Sequence, residues 1–205
     1  RVVVEAYRIR ENCGNGFPVY INMGNKYCEE YTIEIEDDKA EILSDGANGA
    51  FYALQTLKRL LGEHGGIVYC QKICDKPDMK YRGLYHDVSH GKIPTLETLK
   101  ELVDTIAYYK MNSLQLYIEH TFEFKEYEFC REKLGYLTKD EIKQLDEYCK
   151  SKFIDLIPSI STFGHLYHLL AEGKYKHLSE LPDYVPQSHY WLERLPHHTI
   201  NPTND

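Results

Sequence analysis

The chain has 205 residues, 42% hydrophobic and 27% charged, with a formal net charge of -8, enough to bury a real core in one generous domain or two small ones. That charge balance argues against nucleic acid as a partner, since no basic stripe is present to neutralise phosphates, and no apolar run approaches the roughly 18 residues a membrane span needs. Six scattered cysteines, Cys13, Cys28, Cys70, Cys74, Cys130 and Cys149, lack paired zinc spacing and read as reduced thiols, which slightly favours a cytoplasmic over a secreted location. Residues 1–10 begin with three valines and predict a strand, closed by a turn cluster at 12–16. A second strand is expected over 17–22. Residues 30–36 alternate polar and apolar side chains, and 40–43 pair back across a turn at 37–39 as a hairpin. Phe51, Leu54, Leu57, Leu60 and Leu61 share one face of a helix over 50–61, with Gly62 as its stop. One more strand is expected over 67–73, and Pro77 sits in a boundary loop. This first part, residues 1–76, reads as a small α+β unit with no residue of catalytic type.

From residue 81 the pattern changes. Three apolar runs, 81–90, 111–120 and 153–160, each end in polar residues. Between the first two, Leu96, Leu99, Leu102, Val103, Ile106 and Ala107 fall at helical spacing; between the second and third, Ile142, Leu145, Tyr148 and Cys149 do the same. Strand, helix, strand, helix, strand means parallel strands joined by crossover helices. Sites in such folds sit at the carboxyl ends of the strands, and here those ends carry Asp87, Ser89, His90, Glu119, His120 and His165. Beyond His165 an apolar patch covers 166–170, and a short helix is expected over 175–181. Pro182, Pro186 and Pro196 then mark a long loop, placed where substrate loops belong. Trp191, the only tryptophan, is either a stacking platform for a sugar or the anchor of that loop.

Arg82-Gly83, followed by Asp87-Val-Ser89, then Tyr109-Lys-Met-Asn112, then Pro158 with Gly164-His165, form three motifs in order. Together they resemble glycoside hydrolase family 20, the β-N-acetylhexosaminidases. Gly49-Ala-Phe-Tyr-Ala-Leu-Gln-Thr-Leu57 is similar to a run in the accessory domain that precedes that family's barrel, with Ala53 where a glycine is usual. The resemblance implies an α/β architecture of two parts. Residues 1–76 would be the accessory domain, and residues 77–205 the first three βα units of a TIM (β/α)8 barrel. It also implies an exo-acting enzyme that removes terminal N-acetylhexosamine by substrate assistance, in which the substrate's own 2-acetamido oxygen replaces a carboxylate nucleophile while a glutamic acid protonates the leaving oxygen and an aspartate orients the acetamide.

The same resemblance distributes roles. Glu119 would orient His165, which in turn supports the catalytic acid. Asp87, His90, His120 and Trp191 are the candidate substrate-binding residues. Asp87 either binds sugar or is a carboxylate tied to backbone amides or to Arg82. His90 stands where the family has a sugar-binding arginine, and a histidine lacks that fixed fork and permanent charge. A barrel glycosidase with another sugar specificity, or a non-catalytic carbohydrate-binding protein, are the alternatives. Nothing gives His120, His165 and His168 a ligand spacing, so neither a metal nor a cofactor is implied. The partner is a carbohydrate carrying N-acetylhexosamine. The only Asp-Glu pairs after residue 81 are Asp140-Glu141 and Asp146-Glu147, both within the predicted second helix, whereas the family keeps its catalytic pair at the fourth strand's end. A full barrel takes about 250 residues. The chain is therefore expected to be an inactive fragment, and its open sheet edge and apolar surface invite self-association.

Overall fold

A computed structural model describes residues 2–4, 17–63, 65–125, 135–171, 173–183 and 198–204. The chain divides into two compact units, Arg1–Arg82 with Asp104–Asn112, and Gly83–Val103 with Ser113–Asp205. The first unit holds β1 (Val2–Val4), β2 (Val19–Met23), β3 (Tyr31–Ile35), β4 (Ala40–Ser44) and β5 (Gln71–Asp75) in one sheet of order β1-β2-β4-β3-β5. Only β2 and β4 pair in parallel. Alternation along β3 buries Tyr31, Ile33 and Ile35 and leaves Thr32 and Glu34 half-exposed. The buried set meets Ala40 and Ile42 across the hairpin, as a period of two requires. Helix α1 (Ala47–Glu63) covers that face with Ala50, Tyr52, Ala53 and Leu57.

Two boundaries differ from the sequence-based expectation. Helix α1 starts before residue 50 and runs through Gly62, whose site of Cβ attachment faces open space. A glycine inside a helix costs only about 1 kcal/mol. The left-handed residues are instead Gly65 (φ 61°) and Gly66 (φ 86°), and the Gly66 amide closes on the Leu61 carbonyl at 2.8 Å. Strand β5 likewise begins at Gln71, because its pairing with β3, Ile33 opposite Ile73, decides which residues can be strand.

The second unit is built on three parallel strands, β6 (Gly83–Asp87), β7 (Ser113–Ile118) and β8 (Asp155–Ile160), in the order β6-β7-β8. Helices α2 (Leu96–Tyr108) and α3 (Lys139–Ser151) make the two crossovers. Leu99 and Val103 on α2, and Leu145 and Cys149 on α3, are fully buried, and α3 packs on β8. Pro158 lies inside β8, opposite Leu116 of β7. Both helices end alike. The Lys110 amide bonds the Ala107 carbonyl and the Met111 amide bonds that of Ile106; Phe153 and Ile154 repeat this with Lys150 and Cys149. These are Schellman motifs with a non-glycine residue in the left-handed position, φ 58° at both Lys110 and Phe153. After β8 come α4 (Tyr167–Leu170) and a single 3-10 turn, Lys176–Leu178, in place of the longer helix expected over 175–181. Residues 184–197, where the sequence predicts a long loop and which include Trp191, lie outside the described residues.

At its start, α3 carries a full capping box. Thr138 Oγ1 accepts from the Glu141 amide at 3.1 Å, and the Glu141 carboxylate accepts from the Thr138 amide at 2.8 Å. Thr138→Ala should lower unfolding free energy by about 1 kcal/mol, read by urea titration, whereas Thr138→Ser should stay close to the parent.

Candidate active site at the strand ends

Register places the site. Parallel pairing sets Asp87 beside Tyr117 and Tyr117 beside Ser159, so these three side chains project from one face of the sheet. Two residues beyond Tyr117, Glu119 falls on that face, and His120 falls on the other. Glu119 Oε1 is the meeting point: the Tyr117 hydroxyl donates to it at 2.7 Å, His165 Nδ1 lies 3.2 Å away and His90 Nε2 3.4 Å away. The Glu119 side chain is only 11% exposed, so these contacts replace much of its hydration. Its own amide donates to Ser89 Oγ at 2.8 Å, and that hydroxyl donates to the Tyr117 carbonyl at 3.3 Å. The loop after β6 is thereby tied to β7.

Asp87 closes the other side. Its Oδ1 accepts the Ser89 and His90 amides at 2.7 and 3.2 Å, and its Oδ2 lies 2.6 Å from His90 Nδ1. Partial burial pushes the Asp87 carboxyl up, but the Ser89 amide, the His90 ring and the His90 amide bind the ionised form and hold it below the usual carboxylate range. Arg82 takes no part, correcting the alternative that paired it with Asp87: its guanidinium binds Glu29 at 2.7 Å in the first unit. Burial and the neighbouring Glu119 carboxylate push the Tyr117 phenol up to about 12, against a lowering by the hydroxyl of Ser161, so it stays a neutral donor. His165, just past β8, has φ 59°.

His120 does not join this cluster. It is 7% exposed, and its ring sits against that of His168, 4.2 Å between centroids. A cavity of about 860 Å³ opens beside the cluster, lined among others by His90, Glu119, His120, Tyr136 and His168. Among the described residues no group of three His, Cys, Asp or Glu side chains is set to hold a metal.

The model of "Glycosyl hydrolase family 20, catalytic domain" matches residues 79–205, and that of "Glycosyl hydrolase family 20, domain 2" matches residues 8–76. The chain belongs to glycosyl hydrolase family 20. A beta-hexosaminidase of Akkermansia muciniphila is 32% identical over 158 residues, which is 67% of this chain and 32% of that protein. One of Vibrio vulnificus is 24% identical, over 88% of this chain and 26% of its own length. The chain thus spans about a third or less of these relatives. The Flavobacterium johnsoniae chitobiase is 22% identical and shares the α/β fold, with a TM-score of 0.72 over 95% of this chain and 31% of that one.

Within this family 20 chain, sequence inspection passed over Tyr117 and Ser161. Both were deducible: Tyr117 precedes Glu119 by two on a strand, and Ser161 lies two beyond Ser159 on the same face, where its hydroxyl donates to Tyr117 at 3.1 Å. The Asp87 cluster also predicts a pH signature. Because its folded pKa is depressed, its stabilisation is present above the unfolded value of about 3.9 and is lost as pH falls through the folded value. Asp87→Asn should therefore be less stable than the parent at pH 6. The gap should stay under about 1 kcal/mol, since the side chain is 42% exposed and screened. It should close as pH falls through the folded value, measured by denaturation at each pH.

Proposed function

We propose that the protein to which this chain belongs is an exo-acting β-N-acetylhexosaminidase, and that the second unit forms the first three βα units of its TIM barrel. The observation that carries this is the Asp87, His90, Glu119 and His165 cluster at the carboxyl ends of three parallel strands, where barrel enzymes keep their chemistry. The mechanism is retaining and substrate-assisted. The oxygen of the substrate's own 2-acetamido group attacks the anomeric carbon while a glutamic acid protonates the departing oxygen, and an aspartate orients the acetamide. Asp140-Glu141 and Asp146-Glu147 lie on α3, a crossover helix and not a strand end, so neither is assigned to that pair.

Glu119 and His165 act in support. A neutral His165 that donates Nδ1–H to Glu119 leaves Nε2 with a lone pair, available to accept from the catalytic acid and hold it in place. Glu119→Gln in the complete enzyme should lower kcat by roughly ten- to hundredfold, a share of the 10²–10⁴-fold that proton transfer supplies. The loss should be larger for a sugar leaving group than for 4-nitrophenol, which departs with little help from an acid. Equal losses on both substrates would show that Glu119 does not serve proton transfer.

A second reading, a barrel glycosidase with a different sugar specificity, is favoured by His90. Both its ring nitrogens face carboxylates, Asp87 at 2.6 Å and Glu119 at 3.4 Å, which leaves less capacity for sugar hydroxyls than an arginine would have. If His90 still binds sugar, His90→Ala should raise KM by roughly tenfold or less. An unchanged KM with a lowered Tm would assign it to holding Asp87 and Glu119 instead.

A further inference from the structure

His165 is held in a left-handed backbone state, φ 59°, which a residue with a Cβ adopts only at a cost. Such a residue persists when its surroundings over-determine it. Here three hydrogen bonds do so, all from one short segment. The Ile200 amide donates to the Phe163 carbonyl at 3.0 Å, and the Leu166 amide to the His198 carbonyl at 3.1 Å. The His165 amide itself donates to the ring of His198, at Nδ1, 3.2 Å away. The His198 ring also stands edge-on to the His165 ring, 4.5 Å between centroids and 65° between planes. One side chain thus meets both the backbone and the imidazole of His165.

Residues 198–201 are themselves fixed from their far side. The Glu180 amide donates to the Thr199 carbonyl at 3.2 Å, and the Asn201 amide to the Leu178 carbonyl at 2.8 Å. Ser179, opposite Ile200, is fully buried. The segment is therefore a strap bonded on two sides, and His198 is the only side chain through which it reaches the His165 amide among the described contacts.

We propose that His198 is a positioning residue: it accepts the His165 amide and braces the His165 ring so that Nδ1 of His165 meets Glu119. The proposal rests on the supporting role given to His165 above. It carries a chemical requirement. An imidazole nitrogen accepts an amide proton only when it carries none itself, so His198 works as the neutral tautomer with its proton on Nε2. Replacement chemistry follows from bond counting. An asparagine carries its Oδ1 at the same number of bonds from the backbone as histidine Nδ1, so it restores the acceptor, whereas phenylalanine keeps the ring edge and loses it.

The test uses the complete enzyme with an N-acetylglucosaminide bearing a sugar leaving group. His198→Phe should lower kcat by roughly tenfold or less while leaving KM within about twofold, and His198→Asn should recover most of kcat. A readout independent of turnover is the long-range ¹H–¹⁵N spectrum of the histidine rings at neutral pH. His198 should show a protonated Nε2 and bare Nδ1. The His165 ring signals should move in His198→Phe and return towards the parent positions in His198→Asn. A proton on His198 Nδ1, or wild-type kcat and unmoved His165 signals in His198→Phe, would overturn the proposal. Should the phenylalanine variant fail to fold, the tautomer in the unsubstituted protein decides. An enzyme inert towards hexosaminides that still shows the bare Nδ1 and the coupled ring signals would remove the functional role and leave the positioning contact standing.

Discussion

In-register parallel pairing of β6, β7 and β8 decides which side chains can meet at the strand ends. Side chains one residue apart point to opposite faces, so a slip of one position would carry Asp87, Tyr117 and Ser159 to the helix-covered face and bring Val88, Ile118 and Ile160 to the open one. The apolar residues resist that slip. Leu114, Leu116 and Ile118 are each under 5% exposed, and exposing any of them would forfeit about 1.5–3 kcal/mol. The core thus fixes the register, and the register fixes the site.

Given that register, Glu119 becomes the group around which the polar side chains organise. A carboxylate largely removed from water needs donors, and it is costly to leave it without them. Tyr117 supplies a proton at 2.7 Å, while the two imidazoles approach from the loops after β6 and β8. Each imidazole has a different anchor. His90 is held through Asp87, whose carboxylate also ties down two amides of its own loop. His165 is held through its backbone. The two sides of the cluster are therefore independently built and share one anion, so substitutions at Asp87 and at the 198–200 segment should be close to additive in stability, whereas either should couple with Glu119.

Much of this arrangement was legible in the sequence, for reasons of period. Alternation around Tyr31-Thr-Ile-Glu-Ile35 announced a half-buried strand, and helical spacing from Leu96 to Ala107 announced a crossover. The polar ends of the three runs pointed to Asp87, His90, Glu119 and His165. Period-two counting also separates Glu119 from His120, yet both were candidates until the buried face of β7 was known. What could not be read came from partners distant in sequence. The start of β5 depends on its pairing with β3, some 40 residues earlier. Arg82 had two acids to choose from, and Glu29 lies 53 residues away. His198 carries no motif at all, and its relation to His165 exists only because the chain returns past the end of β8.

Among the described residues, the left-handed non-glycine positions Lys110, Phe153 and His165 show how one backbone state serves two ends. At Lys110 and Phe153 it reverses the chain after a crossover helix and feeds it into β7 or β8 within a few residues. Two carbonyls at the helix end gain partners there, which offsets a strain of about 1–2 kcal/mol. Neither position needs glycine, because the Schellman bonds are local and form with the helix itself. At His165 no helix end supplies the compensation. The bonds come from residues 198–200, more than 30 positions further on, so this left-handed turn depends on contacts distant in sequence. A local motif can afford to lose one bond and fray. A residue whose conformation is imposed from outside follows its restraint, and that makes the orientation of His165 towards Glu119 a property of tertiary structure and not of the strand that delivers it.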